Sequence, residues 1–383
     1  MTSRLSVEAL TSAATAATGL DDLGDVPYLE PLTVLVEALE REARLDDARR
    51  GQVTGTLVGL LVKRLQLVRD RVQFPAIAGE VVVAPIIVVG APRTGSTHLH
   101  ALLGQDPANR VPLFWEQNLP SPPPERATYT TDPRIAQIEA AVTQMPAELL
   151  KRHPVAANRP EQCNLLLDWS FVNFALLASY EIPSYRDWLF DTDHTPAYEA
   201  HRRMLQHLQW RAPGQWVLKY PKHLLALDTL LQTYPDARLV WTHRDPAVVL
   251  PSVASLTGYM RSPTPGYDPV RFGPEWATME EMVLRRGLST RDRNPDPHRD
   301  HDVHYADLMR DPIGTIEGVY DQFGLTLTAE AARAMQAWID GHPQREHGTH
   351  RYTAEEFGLS TDRLRRRFSF YSERFGIEPE SKP

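Results

Sequence analysis

Residues 86–97 read IIVVGAPRTGST: an apolar run, a glycine, and a turn of small hydroxyl residues that opens a helix. A strand feeding such a turn builds an anion cradle, because successive backbone N–H groups and the positive end of the helix dipole converge where a phosphate can sit. Gly90 and Gly95 have the spacing of the nucleotide P-loop, but Ser96 stands where that motif carries its lysine, and the cation comes earlier, as Arg93. A triphosphate with bound Mg²⁺ is poorly served by this turn. A smaller anion, held by backbone, hydroxyls and one guanidinium, suits it better. The bland alternative is an ordinary strand-to-helix turn that uses glycine for tightness.

The elements that position this turn follow from the alternation around it. Short apolar runs at 86–89, 216–219, 238–243 and 303–305 are each followed by a helical pattern, at 98–103, 223–234, 247–256 and 312–323. Such alternation predicts an α/β fold with a mostly parallel central sheet and helices on both faces. Ligands of such sheets bind beyond the carboxyl ends of the strands, which puts 90–97, 219–223 and 243–246 on one edge. Residues 1–80 show no strand-like alternation. Pro31 can open a helix whose apolar face is Leu32, Val34, Leu35, Val36, Leu39 and Leu45, and a second helix is expected over 46–72. We therefore expect a helical N-terminal cap over 1–80 and an α/β domain over 81–383. Arg64, Arg69 and Arg71 read as a solvated helix face. Segments 120–134 and 262–301, rich in proline, glycine and charge, read as long surface loops, and a last helix is expected near 361–375.

A net charge of −8 and a pI near 6.0 argue against a nucleic-acid or anionic-membrane partner. Cys163 is the only cysteine, which excludes an intrachain disulfide and, on this reading, a cysteine-based zinc site. The amino terminus lacks the sustained apolar core of a signal peptide, and the longest apolar stretches are too short to span a bilayer. A soluble, cytoplasmic chain is expected.

Four segments in order, GAPRTGST (90–97), WVLKYPKH (216–223), ARLVWTHRDPAVVLPSVASL (237–256) and HYADLMRDP (304–312), resemble the sulfotransferases that use 3′-phosphoadenosine 5′-phosphosulfate. The nearest likeness is to the bacterial branch with tyrosylprotein-sulfotransferase-like motifs, and it runs from about residue 80 to the end. The resemblance implies a P-loop-like three-layer fold and a 5′-phosphosulfate held by Arg93, Thr94, Gly95, Ser96 and Thr97. It implies a 3′-phosphate clasped by Arg244 and Ser252, whose eight-residue spacing matches the family's. An arginine at a strand end and a serine two turns into the next helix can face one phosphate. HRDP equally reads as a strand-to-helix cap, and the two roles are compatible. By the same resemblance Lys219 points at the leaving phosphate and Tyr305 lies near the nucleotide, although a packed tyrosine fits there as well.

The apolar run VPLFWE (111–116) reads as a second strand, and Glu116 at its end, 23 residues after Arg93, corresponds by the resemblance to the family's glutamate base, ahead of His223, His98 and Glu161. The stretch EHGTHRYTAEEFG departs from the family's basic donor-covering loop, with Gly348, His350 and Arg351 as its substitutes. The implied chemistry is in-line attack of an acceptor hydroxyl on sulfur without a metal, with Arg93 and Lys219 meeting the charge on the departing bisphosphate. The expected acceptor is a hydroxylated small molecule of moderate hydrophobicity, such as a lipid, sterol or secondary metabolite, with carbohydrates and protein tyrosine left open. Trp115, Trp169, Phe171, Phe174, Tyr180, Tyr185 and Trp188 line its cavity or, more in keeping with their type, fill the core. Two rivals remain at this stage: a nucleotide kinase or NTPase with a degenerate P-loop, and a non-catalytic nucleotide-binding protein. The oligomeric state is not legible.

Overall fold

The computed structural model describes residues 4–172, 174–342 and 352–380. Five strands, β1 (Ile86–Gly90), β2 (Asn109–Arg110), β3 (Gln215–Lys219), β4 (Arg238–His243) and β5 (Asp300–His304), form one sheet in the order β2-β3-β1-β4-β5. Every pairing between them is parallel. A parallel sheet is covered on both faces, so its inner strands read as unbroken apolar runs. The faces nonetheless separate cleanly. Ile87 and Val89 of β1, Leu218 of β3 and Trp241 of β4 enter one core, and Ile86, Val88, Val217 and Val240 enter the other.

The helix after β1 (Ser96–Leu103) packs its leucines into the second core, whereas the helix after β4 (Pro246–Arg261) packs into the first. The chain thus leaves neighbouring strands toward opposite faces, and the crevice between the carboxyl ends of β1 and β4 is the topological switch point. The register sets Val88 opposite both Lys219 and Val240, and Gly90 opposite Thr242, so the three strands end on one edge.

The N-terminal helices Val7–Thr18, Leu29–Glu42 and Asp47–Gln73 bury Leu10, Leu32, Leu35, Leu57, Leu61 and Leu65 in the same core as Ile87 and Trp241. Asp46 starts the longest of them by accepting the Arg49 N–H at 2.8 Å. Arg64 corrects the expectation of a solvated face. It is fully buried, donates to the Leu23 carbonyl at 2.6 Å, and lies over the Tyr28 ring at 4.4 Å.

Three further expectations change. Residues 262–301 are chiefly a helix, Pro269–Arg293, whose apolar stripe (Phe272, Trp276, Met279, Val283, Leu284) was masked by charge and proline. The second strand is only Asn109–Arg110, and the apolar run after it turns into a short helix, Phe114–Asn118. The last helix is split into Thr361–Arg367 and Ser369–Phe375. No helix among the described residues is long and apolar enough to cross a membrane.

Gly90 has φ +131°, and a Cβ there would lie 2.5 Å from the Thr242 carbonyl oxygen. Gly90→Ala is therefore expected to destabilise the fold by about 1–3 kcal/mol or more. Gly59→Ala, in open space on a helix, should stabilise it by about 0.5–1 kcal/mol. Urea denaturation of the two variants checks the contrast.

Candidate active site

The turn after β1 is held from inside. Thr94, fully buried, donates its hydroxyl to the Ala91 carbonyl at 2.7 Å, and its oxygen sits 2.6 Å from Thr242 Oγ1. Its side chain is thereby committed to the fold, and only its backbone is left to line the cradle. Arg93 and Gly95 take φ of 65° and 87°. At Gly95 a Cβ would approach the Tyr305 ring at 3.0 Å. The following helix has no side-chain cap, so its first N–H groups remain open to an anion.

A second group of donors gathers beside this turn. Arg93 Nε donates to Ser252 Oγ at 3.1 Å, Arg244 donates to the Arg93 carbonyl at 3.3 Å, and the Arg244 guanidinium lies 3.8 Å over the Tyr305 ring. Asp245 caps the helix through the Ala247 N–H at 2.9 Å, so the capping reading of HRDP holds as well. An anion already stands on Arg244. Its Nε and Nη2 each reach the Glu380 carboxylate at 2.9 Å, and that C-terminal segment is pinned by the Glu380 N–H on Asp245 at 3.0 Å. Arg351, with Gly348 and His350, lies outside the described residues.

On the other side of the turn a cleft of ≈ 480 Å³ opens between Arg93, Ser96, Thr97 and Lys219 and an apolar wall that includes Phe114, Leu149, Phe174, Leu256 and Trp276. Lys219 Nζ donates to Thr97 Oγ1 at 3.3 Å. Burial pushes the Lys219 ammonium below its usual value, with Glu161 pulling the other way. Burial would raise Glu161, but His153, Lys219 and the Gln162 N–H outweigh it and hold the carboxyl down to about 2. Glu161 Oε2 meets His153 Nε2 at 3.2 Å, and both residues line the cleft. At the far end Lys222 pairs with Glu280, which also accepts the Trp276 indole N–H at 3.1 Å.

Glu116 is not brought to this cleft. It is fully buried, and its two oxygens take Arg110 at 2.7 Å, the Tyr129 hydroxyl at 3.0 Å and the Leu113 N–H at 3.1 Å. Burial raises its carboxyl and Arg110 opposes the rise, yet each oxygen already has a partner in the protein. The helix that replaces the expected strand turns Glu116 inward. His98 packs against Trp338, with ring centroids 5.4 Å apart, and His223 is fully buried behind the edge. Among the seven aromatics named from the sequence, Phe174 lines the cleft, and Trp115, Trp169, Phe171, Tyr180 and Tyr185 are core. The residue missed in the sequence is His153. It sits in an irregular, proline-flanked stretch with no period to mark it, and the Glu161 contact eight residues on is a product of folding.

The sheet, the switch point and the glycine turn define a P-loop-like α/β protein with hydrogen-bond donors gathered at one strand edge. Residues 85–329 match the profile of the Sulfotransferase family, and the chain belongs to that family. It is 34% identical to the solved sulfotransferase STF1 from Mycobacterium tuberculosis H37Rv, with a TM-score of 0.84 over 96% of this chain and 99% of that one. It is 30% identical to STF9 from Mycobacterium avium, with a TM-score of 0.89 over 98% of each. Among characterised sequences it is 26% identical, over 75% of each chain, to the omega-hydroxy-beta-dihydromenaquinone-9 sulfotransferase Stf3 of Mycobacterium bovis.

Removing one partner of a buried ion pair typically costs about 3–5 kcal/mol. Glu116→Ala is accordingly expected to lower stability by that order in denaturant titration. The folded variant should keep near-native sulfotransferase turnover.

Proposed function

We propose that this sulfotransferase moves the sulfuryl group of 3′-phosphoadenosine 5′-phosphosulfate to the hydroxyl of a small, moderately hydrophobic acceptor in the cytoplasm. The observation that carries the reading is two anion sites on one strand edge, opening onto a largely apolar cleft. The turn Arg93–Thr97 with Lys219 suits the 5′-phosphosulfate. Arg244 and Ser252 suit the 3′-phosphate, with the Tyr305 ring against Arg244. A nucleotide charged at both ends meets both sites at once, whereas Ser96 in place of a P-loop lysine leaves a triphosphate without its usual cation.

In the reaction the acceptor oxygen forms a bond to sulfur as the sulfur–oxygen bond to the 5′-phosphate breaks. The bisphosphate leaves with the bonding electrons. Lys219, Arg93 and the open helix N-terminus meet that charge, which is worth most in a site shielded from water. The acceptor's proton passes to His153. With Nε2–H on the Glu161 carboxylate, the imidazole keeps a lone pair on its other nitrogen, and Glu161 stabilises the imidazolium that forms. Glu161 also accepts the Gln162 N–H at 2.7 Å and faces the Lys219 ammonium, so it stays ionised beside a neutral imidazole and serves as the orienting partner. The apolar wall suits an amphipathic alcohol. The compound for which Stf3 is named, omega-hydroxy-beta-dihydromenaquinone-9, has that character.

His153→Ala should slow turnover by about 10²–10⁴-fold with bisphosphate affinity unchanged, and Glu161→Gln should act in the same direction. Single-turnover kinetics with a sulfated product read by mass spectrometry check both. Normal turnover in both variants would remove the dyad from the mechanism.

Arg244→Ala should weaken adenosine 3′,5′-bisphosphate by about tenfold to a hundredfold, the equivalent of one charge-assisted hydrogen bond. It should leave AMP nearly untouched. Glu380→Gln, by freeing Arg244, should tighten the bisphosphate several-fold in the same titration. Equal affinity of wild type for AMP and the bisphosphate would defeat the 3′-phosphate assignment.

A further inference from the structure

Behind the active edge, three elements bring together side chains that sulfuryl transfer does not use. Cys163 stands at the start of the short helix Asn164–Leu167, His201 lies in the helix Thr195–Gln209, and His223 lies in the turn Pro221–Ala226 that follows β3. All three are fully buried. One donor atom from each lies within 4.8 Å of the others. A three-coordinate ion with metal–nitrogen bonds of about 2.0 Å and a metal–sulfur bond of about 2.3 Å needs donors about 3.5 Å apart. The cluster would close by about 1 Å at its widest.

The imidazoles are oriented from outside the cluster. His201 Nδ1 sits 2.7 Å from the Tyr234 hydroxyl, and His223 Nδ1 sits 2.8 Å from the Tyr198 hydroxyl. The Nε2 of each ring is buried without a hydrogen-bond partner among the described residues. Two unpartnered nitrogens beside one thiol cannot both be satisfied within the cluster, since a thiol carries a single proton. With Nδ1–H donated to tyrosine, each Nε2 keeps a lone pair. This is the outer-shell arrangement that fixes metal-binding histidines.

We propose that Cys163, His201 and His223 form a buried site for a thiophilic d¹⁰ metal ion, Cu⁺ or Zn²⁺. A thiolate with two neutral imidazoles carries one negative charge, so Cu⁺ gives a neutral complex, and an uncompensated charge is costly in such a dry surrounding. The charge count therefore favours Cu⁺. Binding is a simple exchange: the metal–sulfur bond forms, the thiol proton leaves to solvent, and no oxidant or reductant is consumed. The expectation that a single cysteine excludes a cysteine-based zinc site is thereby narrowed to sites built from several thiolates. The site would also tie together the two segments that carry the cleft's charges. Cys163 follows Glu161 by two residues and donates its N–H to the Lys219 carbonyl at 3.0 Å. His223 follows Lys219 by four.

The test is direct measurement of metal in the full-length protein, independent of any transfer activity. Wild type produced in copper- or zinc-supplemented medium, or refolded under reducing conditions with Cu⁺ or Zn²⁺, is desalted and its metal counted by mass spectrometry. Retention of about one ion per chain, with a Tm above that of the chelator-stripped protein, is the expected result. Cys163→Ser and His201→Gln, shown folded by circular dichroism, should retain only background metal and lose the metal-dependent Tm shift. Wild type that holds neither ion above background, or variants that hold as much as wild type, would overturn the proposal.

Discussion

The candidate active site depends on one close approach, that of Gly90 at the end of β1 to Thr242 in β4. Only a residue without a Cβ fits there. The contact lets the buried hydroxyls of Thr94 and Thr242 meet at 2.6 Å, which fastens the turn to the neighbouring strand. Arg93 is thereby held beside Ser252, and Arg244 beside Arg93. The two groups of donors are thus set by one glycine contact and a threonine pair. Neither set of cations has to be positioned separately, because both hang from adjacent strand ends in a fixed parallel register.

Two carboxylates show how environment assigns roles to identical groups. Glu116 and Glu161 are both buried and both face a basic side chain, yet only Glu161 lines the cleft. Glu116 has a permanent cation in Arg110, a tyrosine hydroxyl and a backbone N–H, so its oxygens are filled and the group is a structural brace. Glu161 instead lines a cleft with Lys219 and meets His153 Nε2 at 3.2 Å. A carboxylate serves proton transfer when its partner can gain or lose a proton, and an arginine partner cannot.

The same logic extends to the N-terminal helices and the C-terminal segment. The helices supply one flank of the core beneath β1 and β4, and Arg64 is spent on backbone carbonyls and aromatic faces within it. The C-terminal segment supplies an anion, Glu380, to a guanidinium that would otherwise face solvent or ligand. Charge that the composition leaves anonymous acquires meaning from which surface it is pressed against.

By itself the sequence determined four of the five strands, the sheet class and the edge on which the glycine turn and the ends of β3 and β4 meet. Those rest on local signals: apolar runs of strand length, glycines at a fixed spacing, and an arginine and serine two helical turns apart. Each constrains neighbours in the chain, so each survives in one dimension. The helix at 269–293 escaped because proline, glycine and charge scattered through it outweighed its apolar stripe. The true lining of the cleft escaped for a different reason. His153 and Glu161 meet through an irregular stretch, Arg110 reaches Glu116 only because a strand gives way to a helix, and Cys163, His201 and His223 come from three separate elements. Such pairings are decided by packing in three dimensions, where the cost of burying a charge or an open nitrogen is settled by whatever the rest of the chain places beside it.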